Sequence, residues 1–423
     1  MTPLSLSFYG LASGLLEPLA PALLRARARR GKEVAARLPE RLGRASQARP
    51  EAPLVWFHGV SVGESLSLLP LIQAIARQRP DLALLITTGT GTAAALMAER
   101  KPAGAIHQFI PVDGPAAVGR FLDHWRPHLG VFVESELWPN LIAAAKRRGV
   151  RLALVSARMT DATARGWARA PGAAHALLAS FDLILPQDAE TESRLRALGA
   201  EAGPALNLKL VGEPLPCDAA ELETLRNVVG ARRVVLAAST HPSEEALIGR
   251  AFQAATAEGP PALLIVAPRH PDRGLPAAAD LARLGFNVAR RGSGAPLTGE
   301  TTAYVADTLG ELGLFLRLAD VAVMGGAFAE GIGGHNPLEP ARLGVPVVTG
   351  PHAFNARQIY DDLLAEAAAI QASDEAELAR HIAGLLTYPH IARRMGAAAE
   401  AYAARQGAAL ERALDLLAPL APP

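Results

Sequence analysis

Short apolar runs recur along the first half of the chain, "PLVWFHGV", "LALLITT", "IHQFIPV", "LGVFVES", "RLALVSA" and "DLILPQ", with helix-like stretches between them. They are uniformly apolar and do not alternate, as expected of strands covered by helices on both faces. The pattern predicts a parallel, doubly wound α/β sheet. From Leu210, "LVGEPLPCD" breaks the rhythm with two prolines and a glycine and reads as a linker. The rhythm resumes with "RRVVLAAST", "ALLIVAPRH", "TAYVADT", "VAVMGGA" and "VPVVTGP", which predicts a second α/β domain of similar size. The last stretch, "IARRMGAAAEAYAARQGAALERALDLLAPL", is one long helical pattern suited to packing back across the first domain. The expected organisation is a segment 1–34, an α/β domain 35–210, a linker 211–218 and an α/β domain 219–423. Two such domains facing each other would leave a cleft between the carboxyl ends of their sheets, where ligands of this fold class bind.

The first residues, "MTPLSLSFYGLASGLLEPLAPALL", are mostly apolar and run straight into "RARARR". Glu17 and three prolines interrupt a stretch barely long enough for the roughly 20 apolar residues of a spanning helix. The charges follow the apolar run, the reverse of a cleaved signal. The segment reads as a membrane-surface anchor whose arginines meet anionic headgroups. The alternative is an amphipathic helix packed on the protein's own core.

Composition narrows the chemistry. At 423 residues the chain exceeds one ordinary core, and 42 Lys+Arg against 41 Asp+Glu leave a formal charge of +1, with no bulk electrostatic case for nucleic acid. The single cysteine, Cys217, can form neither an internal disulfide nor a thiolate cluster for zinc. Neither H-E-x-x-H nor G-x-x-x-x-G-K-[ST] occurs.

Candidate chemistry gathers at the ends of the apolar runs. Glu64 lies in "HGVSVGES", where the first strand hands over to the helix pattern "LSLLPLIQAIARQ". An acid in a helix's first turn complements the dipole by roughly 0.3 to 1 kcal/mol. The same placement aims a carboxylate at the strand ends, where desolvation or tight positioning of a hydroxyl would make it a general base. "ESELWPN" puts Glu134 and Glu136 beside Trp138 and Pro139. This is a helix start with proline in its first turn, and also two acids beside an apolar wall for a sugar or acyl chain. "TTGTGTAAALMAER" offers Gly89, Gly91 and Ala94, with Asp113 at the end of the next strand, in a dinucleotide-like layout. That motif follows the domain's second strand, not its first.

In the second domain "GGAFAEGIGGHNPLEPARLGVPVVTGPHAFN" combines paired glycines, Gly333 and Gly334 among them, with His335. The glycines allow a nest of N–H groups suited to phosphate. Asn336, Pro337 and Glu339 read as N-cap, first helical residue and capping-box acid. A helix amino terminus behind glycines is an anion site, and Glu339 could accept hydrogen bonds from ribose hydroxyls. "STHPSEE" (Ser239, Thr240, His241, Glu244, Glu245) and "PRHPDR" (Arg269, His270, Arg273) join the same expected site, the arginines suiting phosphate or carboxylate. Lys209 in "NLKL" is placed at the end of the first domain, toward the same expected cleft.

In this order, "HGVSVGE", "ESELWPN", "STHPSEE", "PRHPDR", "ADTLGEL" and "GGHNPLEP" resemble the bacterial 3-deoxy-D-manno-octulosonic acid (Kdo) transferases of lipopolysaccharide synthesis, over nearly the whole chain. The resemblance implies a GT-B glycosyltransferase with an amino-terminal membrane-anchor helix, acting with inversion at the cytoplasmic face of the inner membrane. CMP-Kdo would be the donor and a lipid A precursor the acceptor, with no metal and no other cofactor. It makes Glu64 the general base, with Glu136 the reserve candidate. It assigns phosphate to Gly334, His335 and Asn336 and ribose to Glu339. The family usually carries an aspartate just after the Leu-Lys pair, where this chain has Val211. The competing readings are a UDP-sugar transferase or epimerase of the same architecture, an NAD-dependent oxidoreductase resting on "GTGTAA", and a non-catalytic membrane scaffold.

Overall fold

The computed structural model describes residues 3–212 and 214–422. The chain divides into two compact units, one formed by residues 1–212 with 407–423 and the other by 213–406.

The first unit is built on six strands: β1 (Leu54–His58), β2 (Ala83–Thr88), β3 (Ile106–Phe109), β4 (Leu129–Val133), β5 (Arg151–Ala157) and β6 (Leu183–Pro186). Their order is β3-β2-β1-β4-β5-β6, and every pair is parallel. The apolar runs fit because both faces are covered. Trp56, Phe132, Phe121 and Trp125 pack on one face, and Val55, Phe57, Leu68 and Val131 on the other. Ala409, Ala413 and Leu417, from the last part of helix Pro389–Leu417, join the second of these clusters.

Residues 4–29 form two helices, Leu4–Leu16 and Ala20–Arg29, joined by a single turn. Glu17, which interrupts the apolar run in the sequence, accepts hydrogen bonds from the Ala116 and Ala117 N–H groups at 2.9 and 2.6 Å. It thereby caps helix Pro115–Trp125. A side chain at Gly114 would lie 2.5 Å from that carboxylate, so the glycine is what admits it. Tyr9 donates to Asp113 from the same side. The remaining face is bare: Leu4, Phe8, Leu11 and Leu15, spaced as one helical stripe, are 64 to 89 % exposed.

The second unit carries β7 (Arg233–Thr240), β8 (Ala262–Pro268), β9 (Val288–Arg290), β10 (Ala303–Val305), β11 (Val321–Met324), β12 (Val347–Thr349) and β13 (Ala369–Gln371). All pairs are parallel, in the order β13-β12-β11-β7-β8-β10-β9. Each sheet reverses its winding direction once, between β1 and β4 in the first unit and between β7 and β11 in the second. Loops on either side of such a reversal diverge and open a crevice at the carboxyl ends of the strands.

Candidate active site

In the first unit the loops after β1 and β4 flank the reversal, and they carry Glu64 and the Glu134–Glu136 pair. Ser61 caps helix Val62–Gln78, its hydroxyl accepting from the Glu64 N–H at 3.3 Å. The Glu64 carboxylate reaches back to accept from the Val60 N–H at 2.7 Å and the Ser61 hydroxyl at 2.9 Å. This reciprocal arrangement is a variant of the capping box. The helix-start role and the positioning of a carboxylate are therefore one feature: the cap fixes where Glu64 points.

Glu134 sits in the left-handed region at φ 60° and is buried, its carboxylate paired with the Lys209 ammonium at 2.7 Å. Lys209 thus joins the acidic cluster of the first unit, whereas the glycine-loop residues assigned to the nucleotide lie in the second. Val211, two residues on, packs against the first unit's core, an environment that accounts for an apolar residue at this position.

Glu136 accepts from the Trp138 indole N–H at 2.6 Å. Its carboxyl is pushed up to about 7, first by burial and then by the neighbouring Glu64. Its other neighbour is His58, whose Nε2 lies 4.0 Å away. The protonation of His58 follows from its partners. Thr87 Oγ1 donates to the Phe57 carbonyl, so it can only accept from Trp56 Nε1 and from His58 Nδ1, at 2.8 and 3.0 Å. His58 therefore carries its proton on Nδ1, and complete burial holds the ring neutral, with its pKa pulled down to about 3. Its Nε2 is left as a buried lone pair without a partner.

The dinucleotide-like motif is occupied by structure. Asp113 accepts from the Asn140 and Leu141 N–H groups and caps helix Pro139–Arg147. A side chain at Gly89 would meet Val60 at 2.6 Å, so that glycine serves packing.

In the second unit the loops after β7 and β11 flank the reversal. Ser239 takes φ 59° and shifts the β7/β8 register. Thr240 is buried, its hydroxyl turned to Glu245 at 3.3 Å and its carbonyl accepting from the Arg269 N–H. Arg269 and His270 are exposed in the adjoining loop after β8. Glu244 organises the region. Almost fully buried, it accepts from the N–H groups of His241 at 2.9 Å, Gly326 at 2.7 Å and Phe328 at 2.9 Å, tying the two loops together. Gly333 and Gly334 both lie at positive φ, 96° and 76°. A side chain at Gly333 would strike Phe354 at 2.6 Å, so the loop folds this way only with glycine there. His335 Nε2 lies 2.8 Å from His241 Nε2, and Tyr360 donates to the His335 carbonyl at 2.7 Å. Burial lowers the His335 pKa to about 4, helped by His241, Arg269 and His270.

The helix expected at "NPLE" is a single turn, Leu338–Ala341, whose N-cap position is Pro337 and not Asn336. Asn336 still caps from one residue earlier, its Oδ1 accepting from the Leu338 N–H at 3.1 Å. Four residues align few peptide dipoles, and the Gly334 N–H is taken by the Gly326 carbonyl at 2.8 Å, so an anion here would draw on the other N–H groups of the glycine loop. Burial raises the Glu339 carboxyl, against the pull of Arg342 and Arg269.

One residue here is not singled out by the sequence: His58 lies inside "HGVSVGE" with no role, while Glu244 and His241 are placed in the expected site with no partner assigned. Their shared signal was position, each within a few residues of a strand's end.

A family model described as 3-Deoxy-D-manno-octulosonic-acid transferase (kdotransferase) matches residues 36–211. The chain is 38% identical over 425 residues to the 3-deoxy-D-manno-octulosonic acid transferase of Bordetella pertussis, covering 97% of this chain and 98% of the relative. It is 30% identical to that of Haemophilus influenzae, over 90% and 91% of the two chains. Among solved structures, a glycosyltransferase from Rickettsia africae aligns with TM-score 0.56 at 9% identity, over 88% of this chain and 99% of the other. A UDP-GlcNAc 2-epimerase from Neisseria meningitidis aligns with TM-score 0.56 at 11% identity, over 86% and 99%. At such identities these two show the GT-B fold alone.

Proposed function

Because the chain belongs to the 3-deoxy-D-manno-octulosonic acid (Kdo) transferase family, we propose that it moves Kdo from CMP-Kdo to a lipid A precursor, with Glu64 as general base. Membership makes the protein a Kdo glycosyltransferase of lipopolysaccharide synthesis; donor, acceptor and residue roles are our reading. One observation carries it: at the strand-order reversal of the first unit, the Glu64 carboxylate is held by the Val60 N–H and the Ser61 hydroxyl, on the motif shared with the family. Glu64 takes the proton of the acceptor hydroxyl as its oxygen attacks the anomeric carbon of Kdo with inversion. The bond to the phosphate breaks with its electrons going to the CMP oxygen. The N–H groups of the glycine loop other than that of Gly334, with His335 and Asn336, receive that charge without a metal, and Glu339 holds the ribose. Ser239, Thr240, Arg269 and His270 shape the same donor site. Glu136 is the reserve base, since a carboxyl near 7 is well matched to proton transfer at neutral pH.

The acceptor is a lipid, and the bare stripe of Leu4, Phe8, Leu11 and Leu15 with Arg25, Arg29 and Arg30 nearby suits the surface of a bilayer. No helix among the described residues is long and apolar enough to cross a membrane. We therefore read the association as peripheral, at the cytoplasmic face of the inner membrane. The test is product formation by the purified full chain from CMP-Kdo, generated in situ, and a tetra-acylated lipid A precursor. A Kdo-bearing lipid is expected; transfer from a UDP-sugar with none from CMP-Kdo would sink the donor assignment.

A further inference from the structure

The two histidines at the strand-order reversal of the second unit meet head to head. Their Nε2 atoms are 2.8 Å apart and the rings lie within 3° of parallel. At that distance one nitrogen must carry a hydrogen and the other a lone pair, since two N–H groups would collide and two lone pairs would repel. The pair therefore admits two neutral arrangements. Where His241 is the Nε2–H donor and His335 the acceptor, His335 must hold its proton at Nδ1, because a neutral imidazole that accepts at one nitrogen carries its hydrogen on the other. Neither ring makes another side-chain hydrogen bond among the described residues, so in that arrangement the Nδ1–H of His335, the residue next to Gly333 and Gly334, is a donor left for an anion, and a bound anion selects it over the other.

The scaffold holds both rings. His241 is anchored through its N–H to Glu244, and His335 through its carbonyl to Tyr360. Gly326 makes the approach possible, because a side chain there would sit 3.1 Å from His335 Cδ2 and Nε2.

We propose that His241 is a positioning residue that locks His335 as an Nδ1–H donor for the phosphate oxygen released when the donor's glycosidic bond breaks. The inference rests on the CMP-Kdo reading of this site. No proton changes hands: the bond to the anomeric carbon breaks, its electron pair goes to the phosphate oxygen, and His335 Nδ1–H hydrogen-bonds that oxygen. The lock also keeps a cationic, double-donor His335 from forming, because protonating its Nε2 would set N–H against N–H. Only reversal of the hydrogen bond, with His241 rotated to a lone-pair tautomer, would permit it. Acidification to the point where both rings are charged breaks the pair, with Glu244, Arg269 and His270 the ionisable groups facing it.

The test uses the full chain labelled with 15N-histidine. The ring spectrum should show His335 as Nδ1–H in the wild type and as a tautomer mixture in His241→Phe. A wild-type His335 in the Nε2–H form would overturn the proposal. In transfer assays His241→Phe should lower kcat about tenfold to hundredfold, the range for removing a group that orients a functional histidine, while the KM for CMP-Kdo changes less than threefold. His241→Gln, which retains a side-chain N–H, should recover part of the loss. An unchanged tautomer and an unchanged pH profile of kcat in His241→Phe would refute the role, with thermal unfolding of each variant checking the fold. Added CMP separates this from the parent reading: if it leaves the wild-type His335 signals unmoved, the donor site is elsewhere, while the tautomer result still decides the pairing.

Discussion

Replacing Glu136 by glutamine should stabilise the first unit at alkaline pH and leave it unchanged in mild acid. The native carboxyl titrates at about 7 against 4.5 when free, because burial and the Glu64 charge both penalise its ionised form. Below pH 4.5 the residue is neutral folded or unfolded, and it costs nothing. Between 4.5 and 7 the unfolded chain releases the proton while the native state keeps it, so stability falls as pH rises. That interval, at about 1.4 kcal/mol per pH unit, amounts to about 3 kcal/mol, fully expressed above pH 7. Glutamine keeps an oxygen for the Trp138 indole and never ionises. Glu136→Gln should therefore match the wild type at pH 4 and exceed it by about 3 kcal/mol at pH 8. All four tryptophans, Trp56, Trp125, Trp138 and Trp167, lie in the first unit, so urea unfolding followed by tryptophan fluorescence reports on it specifically. A difference that is the same at both pH values would refute the reasoning.

Glu244→Ala leaves three backbone N–H groups without their acceptor, two of them far from it in sequence. At roughly 1 to 3 kcal/mol for each buried donor, the second unit should lose about 3 kcal/mol or more in calorimetry; a loss below about 1 kcal/mol would mean that water replaces the carboxylate. Changing Leu11 and Leu15 together to serine removes two side chains from the bare stripe, and at roughly 1.5 to 3 kcal/mol for each buried leucine should weaken co-sedimentation with anionic vesicles at least tenfold. Unaltered vesicle binding would assign that stripe to something other than lipid.

The doubly wound sheets were legible because a strand covered on both faces must be apolar throughout, as β4, β8 and β11 are. β9 and β13 were not: each spans three residues, and Val288–Arg290 is only half-buried, so no apolar run marks it. The motifs marked where chemistry gathers, but their side chains' tasks depend on distant partners. Glu244 grips a loop 82 residues away and His241 meets a ring 94 residues on, relations that local periodicity does not carry. "NPLE" misled in the opposite direction, since a good local helix signal met tertiary structure that allows it one turn.

In the proposed reaction the carboxylate fixed by Val60 and Ser61 removes the acceptor's proton. The most direct measurement compares Kdo transfer from CMP-Kdo to a tetra-acylated lipid A precursor by the wild type and by Glu64→Gln, which keeps the shape of the side chain and removes its basicity. Glu64→Gln should lose at least about a hundredfold in kcat, the scale expected of a general base, with CMP binding retained. A variant nearly as active as the wild type would contradict it and pass the role to Glu136.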